Sequence, residues 1–156
     1  MGTQSWAEKE FAYADLGDKR RNKRLIQLAE KRGNQPNASI SQSCDDSAST
    51  KAAYRFYENP AISSQAILHS HIKTAQTRMC QESIVLAVQD TTQLDYSSHP
   101  ATEGLGTLQT KNQHGLIMHT TLAVTPSRVP LGIIHQQVWC RPCLLYTSPS
   151  PRDRTR

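Results

Sequence analysis

The sequence predicts an α+β chain in two parts, four helices followed by three strands, with the boundary near residues 78–83. Three observations lead there. Polar capping residues precede each apolar-periodic segment of the first half. From Ile84 the pattern changes to a continuous apolar, β-branched run, I-V-L-A-V-Q, the signature of a strand buried on both faces. Two further β-rich stretches then flank a Pro-containing turn, Thr125-Pro126-Ser127-Arg128. With 37% hydrophobic and 6% aromatic residues, the core is lean, which predicts a folded but incomplete or partner-dependent body. No stretch reaches the roughly 20 apolar residues that a membrane span needs, and the first ten residues lack the apolar centre of a secretory signal. The expectation is a cytoplasmic protein with no membrane partner.

The elements follow in order. Ser5-Trp6-Ala7-Glu8 fits a capping box and starts a helix that runs to about Asp15. Gly17 suits its left-handed exit. Asp18 caps a second helix to about Arg32, striped by Leu25, Ile26, Leu28 and Ala29 and ended by Gly33. Residues 33–45 read as loop. Asp45 or Asp46 caps a third helix, Ser47 to Tyr57, which Asn59-Pro60 stops. Tyr54 and Tyr57 on it suit either base stacking or the core. A fourth helix runs from Ser63 or Ser64 to about Met79, with Ile67, Leu68, Ile72 and Ala75 inward and a staple between Ile62 and Ile67. Ile84–Gln89 is the first strand, residues 97–114 are an excursion, and Gly115–Val124 and Val129–Trp139 form a hairpin with Pro130 near its start.

Charge is concentrated in the second helix. Residues 18–32 hold seven basic residues against two acidic, and the rest of the chain has eleven of each, so the whole excess of +5 lies in one segment. That points to a polyanion, most simply nucleic acid; a solvated helix face is the plainer alternative. The cations crowd the half of the helix where the macrodipole disfavours them, so an external anion would relieve them, and a free helix N-terminus would serve the same phosphates.

The first strand ends in Asp90-Thr91-Thr92. A carboxylate at the end of a rigid buried strand is placed to hold a metal ion; Asp and Thr also end strands simply by making side-chain turns. If the strand runs on past Asp90, the odd separation puts Asp95 on the opposite face. Cys44 and Cys80 read as inert thiols, and Cys140-Arg-Pro-Cys143, a lone C-x-x-C, as coincidence. The six histidines read as surface or half-buried residues, and Trp139 as core.

An ordered set of motifs, L-G-D-K-R-R-x-x-R-L (16–25), K-A-A-Y-R-F (51–56), V-Q-D-T-T-Q-L-D-Y (88–96), G-L-G (104–106) and V-P-L-G…V-W (129–139), resembles the IS-four family of Tn-five-like cut-and-paste DNA transposases, over about residues 6–142. The resemblance implies a helical N-terminal DNA-binding domain (1–80) followed by the first three strands of a ribonuclease-H-like catalytic core (81–142), truncated. It implies that Lys19, Arg20, Arg21, Arg24, Lys51 and Arg55 lie at the DNA surface, and that Asp90 is the first of three catalytic, metal-binding carboxylates. The family cleaves and joins strands with two divalent ions, Mg²⁺ or Mn²⁺, and its partner is the double-stranded DNA of the transposon ends.

The family's later Asp and Glu have no match here, so the chain reads as a truncated piece that binds ends but cleaves nothing, holds no metal stably and makes no synaptic dimer. Residues 143–156, with the run S-P-S-P-R-D-R-T-R, depart from the family pattern and read as a non-native tail. The competing readings are a non-enzymatic DNA-binding regulator of a full-length transposase and a generic ribonuclease-H-like nuclease fragment; the basic helix and the A-Y-R-F segment argue against the latter.

Overall fold

A computed structural model describes residues 4–110 and 112–141; Cys143 and the expected tail lie outside them. The chain is α+β and divides into two compact units, Met1–Ile84 and Val85–Arg156. The first is helical: α1 (Trp6–Glu10), α2 (Lys19–Asn34), α3 (Ile40–Ser43), α4 (Ser47–Tyr57) and α5 (Ser64–Met79). The second is an antiparallel sheet: β1 (Leu86–Asp95), β2 (Gly106–Thr107), β3 (His114–Val124) and β4 (Pro130–Trp139).

The expected caps are in place. Ser5 and Glu8 form a reciprocal capping box on α1, Asp18 accepts from the Arg20 N–H on α2, Asp46 from Ser49 on α4, and Ser63 from Ala66 on α5. α1 stops at Glu10 rather than Asp15 because residues 11–17 form a stitched turn. The Asn22 side chain donates to the Ala14 carbonyl (2.8 Å) and accepts from the Leu16 N–H (3.0 Å), and Gly17 takes the left-handed φ of 73°. The loop expected at 33–45 contains α3, whose Ser39 and Gln42 make a second capping box. Its S-x-x-Q spacing was readable in the sequence, but the segment has too few apolar residues to show a period.

Gly33 does not end α2; the helix continues through Asn34. Its lack of a side chain has another cause. The Trp6 ring lies against it, so close that an added Cβ would meet Trp6 Cζ2 at 2.6 Å. The core of this unit is Leu16, Leu25, Leu28, Ala53 and Phe56, with Phe11, Ile40, Ile62 and Ile67 packed on its edge. Ile62 and Ile67, the expected staple pair, both reach it. Ala75 is buried on α5, and Ile67, Leu68 and Ile72 are half-buried.

α1 is tied to α5 by one carboxylate. Glu10 takes two hydrogen bonds from the Arg78 guanidinium (2.8 and 3.1 Å) and lies 2.5 Å from His71 Nδ1, while its carbonyl accepts from the Thr74 hydroxyl at 3.0 Å. Burial pushes the Glu10 carboxyl up, but the Arg78 hydrogen bonds and charge, helped by His71, outweigh it and hold the group below the ordinary glutamate range.

In the second unit β3 is central. β1 pairs along one edge in an unbroken register from Leu86↔Val124 to Asp95↔Gly115. β2 and β4 share the other edge, where β4 carries two register shifts and starts at Pro130, as its sequence required. The expected hairpin is therefore present. The first strand differs from expectation in two ways. It starts at Leu86 and runs through Asp90 to Asp95, and it is an edge strand, exposed from Leu86 to Thr92, rather than one covered on both faces. Apolar, β-branched composition signals a strand without saying what covers it. Trp139, expected in the core, is 37% exposed. The two faces of β1 differ: Leu86, Val88 and Leu94 lie opposite Val124, Leu122 and Leu116, whereas Gln89, Thr91 and Gln93 lie opposite Thr121, His119 and Ile117.

Two measurements check this packing. Gly→Ala inside a helix ordinarily gains about 1 kcal/mol, but Gly33→Ala must displace the Trp6 ring. In urea titrations it is expected to stabilise the Trp6→Ala variant and to stabilise wild type less or destabilise it; equal effects in both backgrounds would contradict the contact. The depressed Glu10 group contributes stability that is full above the ordinary glutamate pKa and is lost as pH falls from there through its lowered folded value. Glu10→Gln is therefore expected to be less stable than wild type at neutral pH, with the gap narrowing in the acid range.

Candidate nucleic-acid interface

The seven basic residues of α2 and its cap divide by what they touch. Three are committed to the fold. Arg21 donates through Nη1 to the Leu16 carbonyl at 2.9 Å, Lys31 pairs with Asp45 at 2.6 Å, and Arg32 donates to the Ala38 carbonyl. The hydrogen bond to Asp45 raises the Lys31 ammonium pKa further above its ordinary value. Four are not so held. Lys19, Lys23 and Arg24 make no hydrogen bond or ion pair among the described residues, and Arg20 is 94% exposed with only a 3.7 Å approach to Asp18. At about 100° per residue, these four spread over roughly 140° of α2, with Lys19 and Lys23 opposite the face that buries Leu25 and Leu28 and the half-buried Arg24 at its border, one turn from Leu28.

α4 repeats the arrangement. It buries Ala53 and Phe56 and turns Lys51, Tyr54 and Arg55 to solvent, with Tyr57 one turn on from Tyr54. The tyrosines, open to either reading from sequence, are outside the core: Tyr54 is 45% and Tyr57 54% exposed, and Tyr57 meets Phe56 only edge-on, with ring centroids 5.7 Å apart. An exposed phenol ring flanked by cations can stack on a sugar or base while the cations hold phosphates.

The N-terminus of α2 is not an open anion site. Asp18 caps it, taking the Arg20 N–H at 2.7 Å, and the Arg21 and Asn22 N–H groups bond the Asp18 carbonyl. A phosphate would therefore meet side chains rather than helix-end amides, contrary to the expectation from the dipole.

Of the six residues expected at the DNA surface, Lys19, Arg20, Arg24, Lys51 and Arg55 are free to meet a ligand. Arg21 is half-buried and holds the 11–17 turn. Lys23, outside that set of six, lies on the same face as Lys19 by its i+4 spacing and is exposed.

Asp90 is neither a strand-ending turn residue nor part of a cluster. It sits inside the β1 ladder opposite Thr120, exposed, with one contact, from the Thr92 hydroxyl at 3.4 Å. The residue that ends β1 is Asp95, on the other face. Its Oδ1 accepts from the Ser97 hydroxyl and, at 2.8 Å, the Ser97 N–H, and Oδ2 from Gln113 at 3.3 Å. These bonds, the Ser97 hydroxyl first, hold its carboxyl below the usual aspartate range. Among the described residues no three His, Cys, Asp or Glu side chains are grouped to hold a metal ion. Mg²⁺ demands several converging oxygens, so Asp90 and its surroundings do not fit that ion as they stand.

The geometry of the first unit defines a class, a small helical module with an exposed cationic surface on two packed helices. Comparison with protein families agrees with that class: residues 3–62, which span α1 to α4, match the family described as transposase DNA-binding. The matched span contains every cation discussed above and supports a transposase N-terminus. No helix among the described residues is long and apolar enough to cross a membrane.

The division of the cations is open to test. Arg21→Ala is expected to lower the stability of the helical unit by about 1 kcal/mol through loss of one hydrogen bond, whereas Lys23→Ala, at an exposed position, should leave the thermal midpoint unchanged. Equal midpoints for the two variants would remove the distinction.

Proposed function

We propose that the helical unit binds the double-stranded DNA of transposon ends as the N-terminal module of an IS-four-like DNA transposase. The observation that carries this reading is the set of six cations, Lys19, Arg20, Lys23, Arg24, Lys51 and Arg55, that have no charge partner closer than 3.7 Å among the described residues and all lie inside the matched span. Phosphate contacts from α2 would set position and orientation, and α4, with Lys51 between Tyr54 and Arg55 on its surface, would supply the sequence-sensitive contacts. Within this reading the sheet is the beginning of a ribonuclease-H-like core, and Asp90 is its first catalytic carboxylate. Two features support that role. Aspartate is disfavoured inside strands, and Asp90 has no cap or ion pair that would explain its presence there. Partner carboxylates do not come from the described residues, so the chain as given binds without cutting.

The lone carboxylate favours a second reading, a DNA-binding regulator that acts without catalysis. Both are tested on one preparation. Fluorescence anisotropy with a labelled random duplex is expected to give a binding constant that falls with salt, and each of Lys19→Ala, Lys23→Ala and Arg24→Ala should reduce the slope of log K against log salt by about 0.9. Selection from a randomised duplex pool should enrich one motif. A supercoiled plasmid carrying that motif should remain unnicked with Mg²⁺ or Mn²⁺. Nicking by wild type that Asp90→Asn abolishes would restore the catalytic reading for the chain alone; absence of any salt-dependent binding would end both.

A further inference from the structure

Lys31 differs from the other basic residues of α2. Its side chain is 27% exposed, so the stem lies against the protein and the ammonium reaches out. There Nζ meets Asp45 Oδ2 at 2.6 Å, and neither side chain has another hydrogen bond or ion pair among the described residues. Asp45 stands in the link between α3 and α4, with its side chain 82% exposed. It caps no helix, since Asp46 takes the Ser49 N–H at the start of α4. An exposed ion pair adds little to stability, so the fold gains little from this carboxylate.

The pair lines a cleft of about 410 Å³ between α2 and the first turn of α4. Arg24, Gln27, Lys31 and Asn34 line it from α2, spaced three or four residues apart and so on one face. Ser49 lines it from α4. Its charged groups are Arg24, Lys31, Glu30 and Asp45, two of each sign, so the cleft is neutral while Asp45 stays in it and cationic once that carboxylate leaves. Arg24 also belongs to the cationic surface of α2, so the cleft borders that surface.

Given the reading of the helical unit as a DNA-binding module, on which this rests, we propose that Asp45 stands in for a DNA phosphate. It holds Lys31 while the protein is free, and a backbone phosphate entering the cleft beside Arg24 displaces it and takes the ammonium. One charge-assisted hydrogen bond is exchanged for another of the same kind. A free anion must compete with a carboxylate tethered in the same chain. A phosphate delivered by contacts at Lys19, Lys23 and Arg24 is tethered as well, and competes on equal terms. Lys31 is thus closed to small anions and open to DNA, and the affinity for DNA is held below what seven free cations would give.

The test is fluorescence anisotropy of the full chain with a random duplex over a range of salt, for wild type, Asp45→Asn, Lys31→Ala and the double variant. Asp45→Asn is expected to bind about two- to fivefold tighter, the strength of an exposed ion pair. Lys31→Ala should reduce the slope of log K against log salt by about 0.9, although its ammonium is paired in the free protein. In the Lys31→Ala background the gain from Asp45→Asn should largely vanish, because the two side chains act through one bond. No gain from Asp45→Asn would make the pair a strut between α2 and the α3–α4 link, and an equal gain in both backgrounds would make Asp45 a source of plain repulsion; either overturns the proposal, as does an unchanged slope for Lys31→Ala. If Asp45→Asn does not fold, that slope decides alone. Salt-dependent binding by wild type without these effects overturns this proposal and leaves the DNA-binding reading standing; binding by neither wild type nor Asp45→Asn overturns both.

Discussion

The burial of Phe56 and Ala53 against Leu25 and Leu28 is the contact on which the helical unit depends. Each helix has only a narrow apolar stripe, and docking those stripes together fixes how far α2 and α4 are rotated about their own axes. Everything presented to solvent follows from that phase. Lys51, Tyr54 and Arg55 are outward because Ala53 and Phe56 are inward, and Lys19, Arg20, Lys23 and Arg24 are outward because Leu25 and Leu28 are not. A lean core can do this because it is asked to set angles rather than to enclose a cavity. The shell of half-buried residues around it, Phe11, Ile40, Ile62 and Ile67, extends the same contact to α1, α3 and the start of α5.

Much of this was legible in the sequence, and where it was not the reason is physical. Caps are local: a Ser or Asp at the right distance from an N–H acts through two or three residues, so Ser5, Asp18, Asp46 and Ser63 marked their helices correctly. The hairpin was readable because Pro126 and Pro130 restrict the chain locally too. Gly33 misled because glycine has two uses, conformational freedom and absence of bulk, and the ring that demands the second belongs to Trp6, 27 positions away. The Arg21 bond was not legible for the same reason: neither charge count nor a motif can tell a guanidinium turned to solvent from one folded back on the Leu16 carbonyl. Composition identified β1 as a strand but not as an edge, since the identity of neighbouring strands is a property of the whole sheet.

Asp90 and Asp95 illustrate the difference between type and place. Both are aspartates in one short motif, and sequence offered either a ligand or a turn for Asp90. The turn belongs to Asp95, whose bonds to Ser97 and Gln113 close the end of the strand. Five residues on a pleated strand reverse the face, so the two carboxylates cannot converge on one ion. That separation leaves Asp90 without structural employment, which is informative in itself: a polar group kept at an unfavourable site needs some other reason to be there.

The clamp between Glu10 and Arg78 has a temporal consequence. The partners are 68 residues apart, so the first helix waits for the fifth. At ordinary translation speeds of about 5–20 residues per second, that interval is roughly 3 to 14 s. During it α1, with five helical residues too short to persist alone, has its capping box and, once α2 has emerged, the Trp6–Gly33 and Asn22 contacts to hold it. The growing chain therefore carries α1 without its clamp to α5 past the emergence of α2, α3 and α4, and that clamp closes only when Arg78 leaves the ribosome. Order of synthesis and order of assembly thus differ for α1: its bond to α5 is made long after its own residues have emerged.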